Sequence, residues 1–230
     1  MCQFFTLEPV QALLTALSFA SIIFGSIMAV AQSKLRRMLA YGSIVSAGYA
    51  ALAVIAGPSA YGSLLLYLFV YGIALICAFA ICEVFAVAGN QESHDDVNIQ
   101  DLSKISAHVP AWLSALFAIA ILSMAGIPPL PGFLTKYAIL KELWVGGRYS
   151  SAVLLVTGSF LGLAYYLRLL VPIYLDRSHV EKSVFKNGFQ RGILYSATFA
   201  GTLAMLLLLV SLGGFSRFFQ WMSLAEGFAR

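Results

Sequence analysis

The sequence predicts an all-α polytopic membrane protein of about six transmembrane helices, one of them discontinuous. Three observations carry that expectation. Of 230 residues, 60% are hydrophobic and 10% charged, with mean hydropathy +0.88, whereas a soluble domain holds about 25% charged residues. Runs of about 20 apolar residues recur, the length that crosses about 30 Å of hydrocarbon. Inside one of these runs lies 125-AGIPPLPGFLTKYAIL-140, with three prolines, two glycines and a lysine where a continuous helix wants none of them.

The chain forms a single transmembrane domain, 1–230, with no soluble domain. The first span is expected over 9–31. Residues 2-CQFFTLEP-9 offer neither a basic n-region nor a small-residue cleavage site, so this span is expected to serve as its own insertion signal unless the chain is a piece of a longer one. The second runs over 37–57 and is closed by the turn 57-GPSA-60. The third covers 61–88, and a polar connection follows over 89–109. The fourth is 111–145 and the fifth 150–173. After a polar connection over 175–192, the sixth runs over 193–214. Loop cations set the orientation. Lys34, Arg36 and Arg37 follow the first span, Lys104 the third, and Arg177, Lys182, Lys186 and Arg191 the fifth. These eight face four on the other side, Lys141, Arg148, Arg217 and Arg230. The richer side is expected to be cytoplasmic, with both termini on the opposite side.

The fourth span is too long for one straight helix, about 50 Å at 1.5 Å per residue. Pro128, Pro129 and Pro131 remove backbone donors, and Gly126 and Gly132 relax the chain. Two half-helices are expected, broken near 126–132. Irregular backbone at that depth survives only where it packs in protein or lines a wet cavity, and such breaks often mark ion or substrate sites. Lys136 follows one turn after the break. A cation there is costly and marks ion pathways or proton relays. Its helical neighbours Gly132, Phe133, Ile139 and Leu140 include no acid. A counter-charge must come from another helix, another subunit or water. A lysine merely snorkelling to the interface is the competing reading.

Other features exclude functions. The net charge of +4 sits in loops, without a basic aromatic stripe for nucleic acid. Cys2, Cys77 and Cys82 show no metal or disulfide spacing and read as small buried hydrophobes. His94, Asp95, Asp96 and Asp101 read as a solvated loop without ligand spacing, and His108 and His179 read as loop residues. No metal, nucleotide, haem or iron–sulfur site is expected. Glu83, near the cytoplasmic end of the third span, is expected as a solvated helix end, with pairing to Arg36 or Lys104, or a place facing a cavity, as the alternatives. Arg168 is expected to anchor the cytoplasmic end of the fifth span.

The segment 122-LSMAGIPPLPGFLTKYAIL-140 resembles the broken, lysine-bearing helix of the antiporter-like subunits of respiratory complex I, the proton-pumping NADH:quinone oxidoreductase. The segment 32-QSKLRRMLAYGSIVSAGY-49 is similar to another stretch of that family. Two more, 67-YLFVYGIALICAFAI-81 and 158-GSFLGLAYYLRLLVPIYL-175, resemble subunit N, the mitochondrial and chloroplast subunit 2 type, more than its sisters. The resemblance implies the second of two inverted five-helix repeats plus a C-terminal helix. The family's N-terminal half is absent, so that a partner chain or further segment would supply it.

The resemblance implies that Lys136 is the proton carrier near an outlet half-channel. It places Arg36 and Arg37 at the cytoplasmic mouth. Arg36 stands where the family has lysine, and as a permanently charged group it would set a field rather than relay. Ser46 stands where the family often has histidine. Ser43, Ser46, Tyr67 and Tyr71 are candidate water-wire residues, although a tyrosine pair one turn apart also suits packing. The chain would bind no cofactor, with NADH, FMN, iron–sulfur clusters and quinone held by other subunits. Partners would be the other membrane-arm subunits and the bilayer, in a bacterial plasma membrane, with mitochondrial inner and thylakoid membranes as alternatives. A multi-subunit sodium/proton antiporter, a membrane-bound hydrogenase and a non-conducting structural fragment are the alternative functions.

Overall fold

A computed structural model describes residues 8–89 and 96–175. The expected sixth span, 193–214, lies outside the described residues, as do Cys2, His94, Asp95, Arg177, His179, Lys182, Lys186, Arg191, Arg217 and Arg230. In chain order the helices are α1 (Glu8–Ala31), α2 (Leu35–Ala56), α3 (Tyr61–Ala88), α4 (Leu102–Ala107), α5 (Ala111–Ala125), α6 (Pro131–Val145) and α7 (Tyr149–Tyr174). Among the described residues, four stretches are long and apolar enough to cross a membrane, Pro9–Ala31, Leu35–Ala56, Pro58–Ala88 and Tyr149–Tyr174. At 15 residues each, α5 and α6 rise only about 22 Å, so neither half alone spans the hydrocarbon.

The core is built on close helix contacts. A β-carbon at Gly48 would stand 2.7 Å from Ile22 Cγ1 of α1, and one at Gly25 would stand 2.8 Å from Val45 Cγ2 of α2. These small residues let α1 and α2 approach as apolar helices in membranes do. Large side chains instead cover the outward faces: Leu13, Phe24, Leu65, Phe69, Ile76 and Phe160 are all exposed. Such a surface is what an apolar solvent would meet.

The polar ends are tied in pairs. At one end, Arg168 Nη1 donates to Val30 O at 2.6 Å, joining α7 to α1. At the other, Arg148 Nη2 donates to Gln11 Oε1 at 2.9 Å. The segment after α1 pairs with the segment after α3: Leu35 N donates to Val97 O and Ile99 N to Ser33 O, both at 2.9 Å. Loops expected on one membrane side therefore touch.

Two expectations need correcting here. Asp96 is not a solvated loop residue. Its carboxylate accepts from the backbone N–H of Arg36 at 2.9 Å and of Arg37 at 3.2 Å, so it satisfies donors that the first turn of α2 leaves open. Its carbonyl also accepts from Lys34 Nζ at 3.0 Å. Glu83 is not a merely solvated helix end either. Its Oε2 accepts from Arg36 Nη2 at 2.9 Å, with Glu83 about half exposed.

Candidate functional site

The site grows from the way α5 stops. Gly126 adopts the left-handed conformation (φ +84°), which only glycine takes at little cost. Gly126 N then donates to Ser123 O at 3.1 Å and Ile127 N to Leu122 O at 3.2 Å, a Schellman closure. Four carbonyls are orphaned at a helix C-terminus, and this turn satisfies two. The remaining two, of Met124 and Ala125, accept from Lys136 Nζ at 2.9 and 3.3 Å. The ammonium thus finishes the other half of its own broken helix, at the negative end of the α5 dipole.

α6 restarts at Pro131, where a proline suits the first helical position. Pro131 and Gly132 were expected in the unwound stretch, but both lie inside α6, and the break covers 126–130. Gly132 serves a close approach rather than chain relaxation. A β-carbon there would overlap the Ser123 carbonyl oxygen. Its N–H donates to Ser123 Oγ at 3.3 Å, and its carbonyl accepts from Thr135 Oγ1 at 3.0 Å. One turn on, Lys136 is 7% exposed. It does not snorkel. Gly126 lies directly against its side chain, where a β-carbon would stand 3.2 Å from Cδ and 3.3 Å from Nζ.

Tyrosines of α2 and α3 stand beside the ammonium. The Tyr49 ring of α2 lies 5.1 Å from Nζ, in cation–π range. Tyr67 and Tyr71 of α3 stack at 5.8 Å, so packing holds the pair, yet both also line a cavity of about 10 Å³ with Ser123, Thr135 and Lys136. That is room for about one water. Among the described residues the hydroxyls of Tyr49, Tyr67 and Tyr71 are buried without a hydrogen-bond partner, which costs about 1–3 kcal/mol each unless water serves them.

Ser43 and Ser46 donate into their own helix, to Leu39 O and Ser43 O, each at 3.2 Å. Both lie close enough to Tyr71 to interact with its hydroxyl, as does Tyr166 of α7. Lys136, Tyr67, Tyr71, Ser43 and Ser46 are therefore neighbours where α2, α3 and α6 meet. Arg36 and Glu83 stand apart, paired at the end of α2. Sequence reasoning missed Tyr49, Tyr166 and Asp96. Aromatics at helical spacing read as core, and a cap supplied from sixty residues away leaves no local signature.

Residues 1–162 match the family described as NADH:quinone oxidoreductase/Mrp antiporter, TM. Among curated relatives, an NADH-quinone oxidoreductase subunit N from Ruthia magnifica is 32% identical over 176 residues, 76% of this chain and 35% of the relative. One from Pelobacter propionicus is 33% identical over 196 residues, covering 84% and 40%. The chain spans about a third of the length of the curated relatives it matches. A chain of respiratory complex I from Thermus thermophilus superposes with TM-score 0.66 at 32% identity, covering 87% of this chain and 44% of that one. A chain of the Mrp complex from Dietzia sp. shares the fold, with TM-score 0.69 at 22% identity, over 89% of this chain and 44% of that one.

Proposed function

This chain belongs to the NADH:quinone oxidoreductase/Mrp antiporter transmembrane family, and from that premise we propose that it is a membrane-arm subunit of the subunit N kind that moves protons through Lys136. Its partners are the other membrane-arm subunits, including a chain or segment that supplies the rest of the relatives' length. Electron transfer takes place elsewhere in the complex, where NADH, FMN, iron–sulfur clusters and quinone are bound. The protein sits in a bacterial plasma membrane, with the Lys34 and Lys104 loops cytoplasmic by charge asymmetry.

One observation carries this reading. A buried ammonium is held by two carbonyls and an aromatic face, with no acid at hydrogen-bond distance among the described residues, beside a water-sized cavity that Tyr67, Tyr71, Ser123 and Thr135 help to line. Burying a lysine in a bilayer costs at least about 2.5–3.5 kcal/mol. A hydrogen bond to a charged group returns about 1.5–3 kcal/mol and a cation–π contact about 0.5–2 kcal/mol. Cost and compensation are of the same order, so neither the charged nor the neutral amine is locked in. An acid at hydrogen-bond distance would have trapped the charge instead. Arg36, paired with Glu83, contributes a fixed field at the mouth of the path, and the hydroxyls of Ser43, Ser46, Tyr67 and Tyr71 order water between that mouth and the lysine.

Coupling reaches the site as a change in charge or hydration along the arm, which alters the proton occupancy of Lys136. Replacing Lys136 with Ala lowers proton translocation more than it lowers coupled electron transfer in vesicles that hold the assembled complex. Normal pumping by that variant would remove Lys136 from the path. The matched family also takes in Mrp antiporters, which supports a second reading, sodium/proton antiport. Sodium-dependent proton flux in the same vesicles, without NADH or quinone, would favour it. Absence of any flux with all partners present would leave a structural subunit.

A further inference from the structure

Tyr49 has features that packing alone does not explain. It is 3% exposed, and its ring lies under the Lys136 ammonium while meeting Tyr67 edge to face at 6.4 Å. Its hydroxyl reaches α7. A β-carbon at Gly158 would come within 2.8 Å of that oxygen, so the glycine is what admits it. Ser159, the next residue of α7, is close enough to interact with the same hydroxyl. Both hydroxyls are buried, and neither completes a hydrogen bond. Two polar groups without a hydrogen-bond partner among the described residues thus lie close together on neighbouring helices, one of them on the ring that supports the ammonium.

Lys136 also borders a second cavity, a cleft of about 500 Å³ between α6 and α7, which Ser159, Gly126, Tyr137 and Phe160 help to line. α6 and α7 are therefore not packed tightly against each other beside the lysine. The ammonium is fixed on one side by the α5 carbonyls and on the other by the Tyr49 ring.

We propose that Tyr49 is a positioning residue that ties the Lys136 ammonium to α7, its ring bearing the charge and its hydroxyl seated against Gly158 and Ser159. A displacement of α7 then moves the ring and alters how firmly the ammonium is held against the α5 carbonyls. The inference rests on the proton-carrying reading of Lys136.

The test compares protons translocated per electron in vesicles holding the assembled complex, a ratio that a lower yield of folded protein does not move. Tyr49→Leu removes the ring, Tyr49→Phe keeps the ring but removes its hydroxyl, and Ser159→Ala removes the hydroxyl it is seated against. The expected results are a large loss of translocation per electron for Tyr49→Leu and a partial loss for Tyr49→Phe and Ser159→Ala. Combining the last two should add nothing, because both delete one shared contact. Where Tyr49→Leu does not assemble, the partial losses and their non-additivity carry the test. A normal ratio in Tyr49→Phe and Ser159→Ala, or independent addition of their effects, overturns the proposal. Lys136→Ala in parallel separates the two claims. If it too keeps the normal ratio, the proton-carrying reading fails; if it alone loses translocation, only the role of Tyr49 fails.

Discussion

A methyl group added at position 132 would run into the Ser123 carbonyl, and one at position 126 would meet both a left-handed backbone and the Lys136 side chain. The two glycines therefore fail differently. Gly132→Ala forces the half-helices apart, an overpacking cost of about 1–3 kcal/mol. It also withdraws Lys136 from its carbonyls, so thermal stability and proton translocation fall together. Gly126→Ala costs about 1–2 kcal/mol through backbone conformation and should lower the melting temperature of the purified complex less than Gly132→Ala does. Equal, negligible shifts would contradict this description of the joint. The sequence signalled that breakers cluster here, but not which glycine meets a carbonyl. That depends on how α6 overlaps the last turn of α5, a tertiary fact. For the same reason the partners of Lys136 were sought among acids, other helices and water, while the backbone of its own broken helix provides them.

Among the elements, α2 depends on a residue that is distant in sequence. Asp96 caps its first turn through Arg36 N and Arg37 N, and the flanking strand-like pairing aligns the two segments. Asp96→Ala should cost about 1–2 kcal/mol, the usual value of a helix cap. Hydrogen exchange at the Arg36 and Arg37 amides should accelerate accordingly, with little change deep in α2. Unchanged exchange there would argue against the cap. Glu83→Gln should matter less, because a partly exposed ion pair is worth about 0–1 kcal/mol. Helices α1, α2, α3 and α7 were legible from apolar length alone, since membrane thickness fixes it. The short helix α4 (Leu102–Ala107) was not, because six residues between polar flanks carry no span-length signal.

Across the molecule, the contacts Lys34–Asn98 and Arg168–Val30 at one end and Arg148–Gln11 at the other give α1, α2, α3 and α7 an alternating course. With the charge asymmetry, this predicts that Lys104→Cys reacts with an impermeant maleimide from the cytoplasmic side and Ser150→Cys from the opposite side. The reverse pattern would invert the topology. Family resemblance was legible because the motifs keep their order along the chain, whereas the surroundings of Lys136 were only half legible, since Tyr49 and Tyr166 join the cluster from helices that sequence spacing cannot align. Proton transport by this chain requires the Lys136 amine to gain and lose a proton, rather than only to place a charge. Lys136→Arg separates the two, because arginine keeps the charge but does not release its proton. Measured as protons translocated per electron in vesicles of the assembled complex, the ratio should fall in Lys136→Arg as it does in Lys136→Ala; a ratio equal to that of the unaltered protein would be incompatible with a proton-carrying amine.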